Sequence, residues 1–484
     1  MNGIDLEDRK ITVMGIGLHG GAVSMIKWLL GQGARVTATD MKSEKELAPS
    51  LDQLNGSPNL TVVAGRHRIE DFEKADMVIN NPAVRWDNRF IKAALDRNVP
   101  VEMDSSLFFK LCPSRNIIGV TGTKGKTTTS LLLYEILMAA GKKAVKVGIG
   151  QEAVMDKLTL VDQDTFVVFE LSSWRLSALG RVGISPPVAV VTNIYQDHLN
   201  YYGSMAEYVA DKRAIFLHQT PSDFVVLNWE NEKQTATPVA PAGTPSCPMY
   251  FAEREIDVER CIYISDDEIR YRHGVHSGSI CRTHEIAMRG AHNIGNVLAA
   301  SGAAIVMQID PGDIKRAVTE FKGAPHRLEL IRELEGIMFY NDTAATTPEA
   351  GLAGINSFRE DVWLIAGGSN KNLDLTAFAR GVAGARGIRE VFLLEGAATG
   401  ELKRLIEMSG AGGKIAGTYQ NMDAAVSAAY HRCTKALTEN PGGAVILLSP
   451  GCASFGMFRN EFDRGDKFRA AVASINKTSS LPGH

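Results

Sequence analysis

Short apolar runs bounded by glycine, proline or asparagine recur along this chain, separated by stretches whose apolar residues fall three and four apart. The runs read as strands buried on both faces, and the periodic stretches as amphipathic helices. The first alternation opens with ITVMGIG (11–17), passes a helical pattern near Gly20–Leu30 and reaches RVTATD (35–40). A second begins at NIIGV (116–120) and continues through FVVFEL (166–171), VAVVTNI (188–194) and FVVLN (224–228). The third starts near GAPHR (323–327) and runs through GIMFYND (336–342), VWLIAGG (362–368), REVFLLEG (389–396) and AVILLSPG (444–451). Strands that alternate with helices predict parallel sheets. The insertion ATPVAPAGTPSCP (236–248) predicts a loop, and CIYISDDEIRYRHGV (261–275) a short hairpin.

A chain of 484 residues is too long for one hydrophobic core. The expected fold is α/β in three domains. These are a Rossmann-like N-terminal domain over 1–115, a central P-loop ATPase-type parallel sheet over 116–325 and a Rossmann-like C-terminal domain over 326–484. Domains joined near 115 and 325 are expected to hinge, because a reactive intermediate must be kept from water.

Composition narrows the partners. With 45% hydrophobic residues, 22% charged and a net charge of −3, the chain has no general attraction for nucleic acid or anionic membranes. Anionic ligands must therefore be held by local sites. The six cysteines are scattered without a CxxC pair, against a zinc site or disulfide framework and in favour of a reducing compartment. MNGIDLEDR (1–9) lacks the apolar core of a signal peptide, and no run reaches the roughly 18 apolar residues of a membrane span. A cytoplasmic protein with no membrane insertion is expected.

Thr121-Gly122-Thr123-Lys124-Gly125-Lys126-Thr127-Thr128 follows a strand and opens a helix. Backbone N–H groups and the positive end of the helix can surround phosphate oxygens there. Glycine permits close approach of the backbone, Lys126 can neutralise β/γ-phosphate charge, and the Thr127 hydroxyl suits Mg²⁺. Those are roles toward ATP. The general phosphate-loop pattern would have glycine at 120, where this chain has Val120; an ordinary glycine-rich turn is the plainer alternative.

Glu170 closes FVVFE and His198 follows VTNI, both where parallel sheets present ligands. They are candidate metal ligands, although a solvated glutamate and a packed histidine would look the same in sequence. Lys212 lies in the helical pattern 205–216, where pattern alone suggests an exposed lysine. Gly15-Ile-Gly-Leu-His-Gly20, with Asp40 twenty residues on, reads by itself as a dinucleotide turn, so an NAD-dependent oxidoreductase is the rival reading.

The chain also resembles the Mur ligases over almost its whole length. The resemblance rests on TGTKGKTT, ELSSWRL (170–176), NIYQDHLNYYGSMAEYVADKRAIF (193–216), GAHNIGNVLAA (290–300), GAPHRLE (323–329), NDTAATTPEA (341–350) and LLSPGCASFGMFRNEFDRG (447–465), in the family's order. Within the family, ELSS, NDTAAT and SPGCAS are similar to the members that add glutamate to UDP-N-acetylmuramoyl-L-alanine. The resemblance implies that ATP phosphorylates the substrate carboxylate and that the amine of glutamate attacks the acyl phosphate. D-glutamate is the implied substrate, with an L-glutamate-adding variant as the alternative, and a monomer is expected.

What the resemblance implies for single residues is specific. Thr127 and Glu170 would serve one Mg²⁺, and His198 and a carbamylated Lys212 a second; Lys126, Glu170, His198 and Lys212 are the implied catalytic set. Asn293 and Asn296 would contact adenine, Arg327 the γ-phosphate and Asp342 the ribose, beside Gly122, Thr123, Lys124, Gly125 and Thr128. Gly17, Leu18, His19, Asp40 and Lys42 would surround the UDP-sugar. Thr346, Lys371, Ser454, Phe455 and Glu461 would form the glutamate pocket, with a helix cap as the alternative role for Ser454 and Glu461 offering chiefly its backbone N–H. The chain departs from the family pattern at Asn81-Pro82-Ala83, Val147-Gly148-Ile149, Ala344 (usually lysine) and Glu461-Phe462.

Overall fold

The computed structural model describes residues 4–475 apart from 19, 55, 151, 198–200, 235–245, 291, 370–372 and 440–441. Three sheets organise it. The first has five parallel strands: Lys10–Met14, Arg35–Thr39, Leu60–Val63, Met77–Ile79 and Val101–Glu102. Their spatial order is third, second, first, fourth, fifth. The order reverses beside the first strand, and a ligand crevice opens at such a point, outside the carboxyl ends of the strands. Met14 and Ile79 end the two strands that flank it.

The second sheet has nine strands. Its centre is Ile117–Thr121, flanked by Phe166–Glu170 on one side and Val188–Val191 on the other, all parallel. Register sets Val120 opposite both Glu170 and Val190, so the loops after these strands leave the sheet at one level. The expected hairpin is present as Arg260–Ser265 paired with Glu268–His273. Asp266 and Asp267, both with positive φ (53° and 62°), form its two-residue turn, the backbone that hairpin twist favours. A further strand, His276–Arg282, extends it.

The third sheet orders Glu329–Leu334, Ile337–Asn341, Ala444–Leu448, Asp361–Ala366, Ile388–Leu394 and Ile415–Tyr419, antiparallel only at its first pair. One face buries Leu364, Leu393 and Leu447 against Phe378 and Leu402; the other buries Ile365, Phe392 and Ile446 against Val426 and Phe468. Both faces are covered by helices, as a parallel sheet requires.

The three-domain α/β class is thus present, but the chain packs as two compact units. Met1–Ile286 with Ile294–Glu320 holds the first two sheets; Ala287–Asn293 with Phe321–His484 holds the third. In the first unit one continuous core runs from Ile11 and Val36 through Leu107 and Phe108 to Val167 and Val225. The helix Asp104–Leu111 supplies Leu107 and Phe108 and so joins the two sheets. Of the expected loop 236–248, residues 236–245 lie outside the described residues, and its end is a strand, Cys247–Ala252. No helix among the described residues is long and apolar enough to cross a membrane.

Candidate active site

Gly122 and Gly125 take positive φ (150° and 84°), and Gly125 caps the helix Lys126–Ala139. A side chain at either position would collide. A Cβ on Gly122 would stand 1.9 Å from Thr192 Oγ1, and one on Gly125 would stand 2.1 Å from Asn296 Oδ1. The loop is held by its neighbours: Thr123 N–H donates to the Asn193 carbonyl at 2.8 Å, Lys124 N–H to Asn193 Oδ1 at 2.9 Å, and Thr192 Oγ1–H to the Lys124 carbonyl at 2.6 Å. Lys126 Nζ donates back to the Gly122 and Thr123 carbonyls at 3.0 Å each. This is a strand–loop–helix phosphate cradle with its lysine folded over it. Thr127 is half-buried and Thr128 buried.

Lys212 is not the exposed helix lysine that the pattern suggests. Its helix, Met205–Arg213, ends three residues before the apolar pattern does, and Lys212 is 1% exposed. Nζ donates to the Gly122 carbonyl at 2.9 Å and to Thr121 Oγ1 at 3.3 Å. Burial, then the nearby Lys126 charge, pushes its pKa well below the ordinary lysine value. Glu170 sits at the level of Val120, and its Oε2 is buried with no hydrogen-bond partner among the described residues. A carboxylate oxygen left so is suited to a cation. His198 lies outside the described residues. Glu170, on the strand beside the one that leads into the phosphate loop, thus carries an open acceptor, and Lys212, bonded to Gly122, a desolvated amine.

Asn296 rests on Gly125 and accepts from Thr129 Oγ1 at 3.3 Å, which places it beside the phosphate loop. Asn293 is buried in the second unit, where its Nδ2 donates to the Arg289 carbonyl at 2.6 Å.

In the first sheet Asp40 closes the glycine-rich turn. One carboxylate oxygen accepts Ile16 and Gly17 N–H at 2.9 and 3.0 Å, and the other accepts Lys42 N–H at 2.9 Å. An aspartate that binds a dinucleotide ribose would turn its oxygens outward; this one spends them on the turn itself. Leu18 is half-exposed and Lys42 exposed at the same end of the sheet, while His19 lies outside the described residues.

In the third sheet, Asn341 and Ile365 are both paired with Leu448, so three loops leave together. They carry Asp342 and Thr346, Gly368 and Ser369, and Ser449 to Phe455. Asp342 is buried, accepting from Ser449 Oγ–H at 2.8 Å and Leu328 N–H at 3.2 Å, and burial lifts its pKa to about 7. Arg327 is exposed in the preceding turn. Ser454 is buried and does not cap a helix: Asn460 caps Glu461–Ser474 by accepting from Asp463 N–H. Glu461 opens that helix, and its carbonyl accepts from Thr343 Oγ1 at 2.9 Å. Phe455 is exposed, with its carbonyl bonded by the Ser369 hydroxyl. Lys371 lies outside the described residues.

Comparison with known proteins bears on all three regions. Residues 9–102 match the family model described as Mur ligase MurD-like, N-terminal domain, and residues 120–304 match Mur ligase middle domain. A protein of Roseiflexus sp. (strain RS-1) named UDP-N-acetylmuramoylalanine--D-glutamate ligase is 40% identical over 479 residues, covering 98% of this chain and 100% of that protein. The chain belongs to the Mur ligase family. A protein of the same name from Acetivibrio thermocellus is 33% identical over 97% of each chain. Among solved structures, UDP-N-acetylmuramate-alanine ligase MurC of Thermotoga maritima aligns with a TM-score of 0.56 at 19% identity, covering 96% of this chain and 99% of that one. MurF ligase of the same organism, solved with ADP, aligns at 0.53 and 15% identity over 97% and 96%. Those two likenesses concern the fold. Mur ligases are ATP-dependent, which agrees with the strand–loop–helix cradle.

Residues to which sequence reasoning gave no role of their own pack around these positions. Asn193 and Tyr208 brace the phosphate loop, Tyr208 by a hydroxyl contact of 3.1 Å to Thr123 Oγ1. Arg175 donates to both oxygens of Asp104, at 3.2 and 2.8 Å, and to the Gly148 carbonyl at 3.3 Å. Arg464 is wholly buried among the C-terminal loops. Asn193 closes a strand-like run and was accessible in principle; Arg175 and Arg464 look like ordinary helix residues until their partners, 71 and 121 positions away, are known.

Proposed function

We propose that this Mur ligase joins D-glutamate to UDP-N-acetylmuramoyl-L-alanine in peptidoglycan precursor synthesis, with cleavage of ATP to ADP and phosphate. The observation that carries the reading is the end-to-end likeness, over 98% of the chain, to a protein named for that reaction. The γ-phosphoryl group passes to the alanyl carboxylate and ADP leaves; the amine nitrogen of glutamate then attacks the acyl carbon, and phosphate leaves as the amide forms. Backbone N–H groups of 125–127 orient the phosphates, and Lys126 moves from its loop carbonyls to the β/γ-phosphate oxygens. Asn193 and Tyr208 keep that cradle in shape.

Mg²⁺ fits the residues present: Thr127 and Glu170 would hold one ion, and His198 with a carbamylated Lys212 a second. Bound there, the metal would offset charge on the phosphoryl oxygens. Carbamylation begins when the neutral amine of Lys212 attacks CO₂ and loses a proton, giving an anionic oxygen donor in place of a cation. The UDP-sugar lies at the switch point of the first sheet, by Gly17, Leu18, His19, Asp40 and Lys42. Adenine and ribose contacts fall to Asn293, Asn296 and Asp342, with Arg327 at the γ-phosphate. Glutamate takes Thr346, Lys371, Ser454, Phe455 and the Glu461 backbone. We set the domain boundaries near 115 and 325, and propose that the enzyme acts in the cytoplasm as a monomer.

Phosphate release by the purified protein should require UDP-N-acetylmuramoyl-L-alanine and D-glutamate together. Release that ignores either one would end this reading.

A further inference from the structure

The three loops of the third sheet meet on one side chain. Arg464, in the first turns of Glu461–Ser474, is 0% exposed. Its Nε donates to Thr343 Oγ1 at 2.9 Å and its Nη2 to the Thr343 carbonyl at 2.9 Å. Its Nη1 donates to the carbonyls of Cys452 and Ala453 at 3.1 and 3.2 Å. The Ala453 carbonyl also accepts Ser369 N–H at 2.9 Å, so the third loop is drawn into the same knot. Gly368 must be glycine for this, because a Cβ there would stand 2.3 Å from the Ala453 oxygen and 3.4 Å from Arg464 Nη1.

None of these acceptors is a carboxylate, so the guanidinium is hydrogen-bonded to neutral groups alone; the groups whose charge acts on it through space are Cys452, Glu461 on its own helix and Asp342. Within the described parts of the loops, 342–347, 367–369 and 449–455, the one charged side chain is that of Asp342. Burial lifts Asp342 to about 7, so its charge is only partial at that pH, whereas Arg464, lowered by burial to about 10, stays cationic. At 344, where a lysine would add charge, this chain has alanine. A buried cation in a poorly screened setting acts over several ångströms and favours anionic ligands.

We propose that Arg464 is a positioning residue of the amino-acid pocket: it fixes the three loops that carry Thr346, Ser369 and Ser454, and its charge selects a dicarboxylate. The inference rests on the D-glutamate ligase reading above. Steady-state kinetics of Arg464→Met, Arg464→Lys and Thr343→Val separate charge from scaffolding. Arg464→Met should raise KM for D-glutamate on the order of 30-fold while KM for ATP stays within about twofold. Thr343→Val removes one acceptor of the guanidinium and the hydroxyl's bond to the Glu461 carbonyl but leaves the charge and the Thr343 carbonyl contact, and its KM for D-glutamate should stay within about threefold of the parent. Arg464→Lys gives an answer even if the methionine variant fails to fold. A buried lysine loses its proton more readily, so the ratio of its KM for D-glutamate to that of the parent should climb between about pH 7 and 9. An unchanged KM in Arg464→Met, equal damage from Thr343→Val, or a flat pH ratio in Arg464→Lys overturns the proposal alone. A parent protein with no D-glutamate-dependent phosphate release overturns both it and the functional reading.

Discussion

The Lys212 amine donates to the Gly122 carbonyl at 2.9 Å, inside the turn that leads into the phosphate cradle. A lysine that is 1% exposed and set near Lys126 is held in its neutral, nucleophilic form more than any surface lysine. Protein equilibrated with ¹³C-bicarbonate should show a carbamate signal that disappears in Lys212→Ala. That variant should lose activity by on the order of a hundredfold or more and recover part of it with a short-chain carboxylate. An active alanine variant indifferent to carboxylate would reduce Lys212 to packing.

The same lysine gives a pH signature. Unfolded, it holds its proton up to the ordinary lysine range; folded and unmodified, it gives it up at lower pH. The unfolded chain then binds more protons across that interval, so stability rises with pH through it. In CO₂-free buffer, thermal melts of the parent should gain with rising pH relative to Lys212→Met. Parallel curves for the two proteins would show that the amine does not titrate as described.

Gly148 has φ of 74°, and a Cβ there would stand 2.6 Å from the Glu170 carbonyl and 2.9 Å from Arg175 Nη1. Gly148→Ala should therefore cost about 1–3 kcal/mol of stability and displace the end of the Glu170 strand. The apparent affinity for Mg²⁺, read from metal titrations of phosphate release, should weaken with it. A variant with parental stability and metal dependence would mean that this junction relaxes freely.

How far these features could be read in advance follows from particular residues. The phosphate loop was legible because its geometry is local: a strand, glycines with positive φ and a helix start within ten residues. The strands 166–170, 188–191 and 444–448 were legible as continuous apolar runs. Ile415–Tyr419 and Glu329–Leu334 were not, since IAGTY is partly small and polar and ELIREL carries charges at the sheet margin. Burial of Lys212 and Arg464 was hidden for a different reason. Both lie on helices whose buried face is set by loops from distant sequence, and a charged residue on such a face looks like any solvated one.

Asp342 reverses the usual carboxylate behaviour. Burial lifts it to about 7, from an ordinary value of 3.8, despite bonds from Ser449 and Leu328 that act in the opposite sense. Between those values the folded state holds a proton that the unfolded chain has released. Stability from this group is therefore greatest in acid and declines as pH rises toward 7. Asp342→Asn should flatten that part of the stability-against-pH curve obtained by denaturant titration, and an identical slope in both proteins would sink the assignment.

Choice of enantiomer is the finest demand on the pocket. D- and L-glutamate carry the same carboxylates and amine, so the pocket must hold both carboxylates and still aim nitrogen at the acyl carbon within about 3–3.5 Å. Ser454 is free of capping duty, which Asn460 performs, and is buried beside the Ala453 carbonyl that Arg464 fixes. Thr346 lies on the neighbouring loop, whose Thr343 is bonded to the same arginine. Glu461 opens a helix, where the positive helix end favours its charge, and its carbonyl is already taken by Thr343. Its carboxylate acts on Arg464 through space and would oppose a substrate carboxylate, so KM for glutamate in Glu461→Gln should stay within about threefold of the parent or fall. With loops fixed in this way, one enantiomer should present its amine productively and the other should not. Initial rates on UDP-N-acetylmuramoyl-L-alanine should favour D-glutamate by at least about a hundredfold, as expected when a misplacement near 1 Å costs that much. Faster ligation of L-glutamate would overturn the stereochemical assignment and leave the ligase chemistry standing.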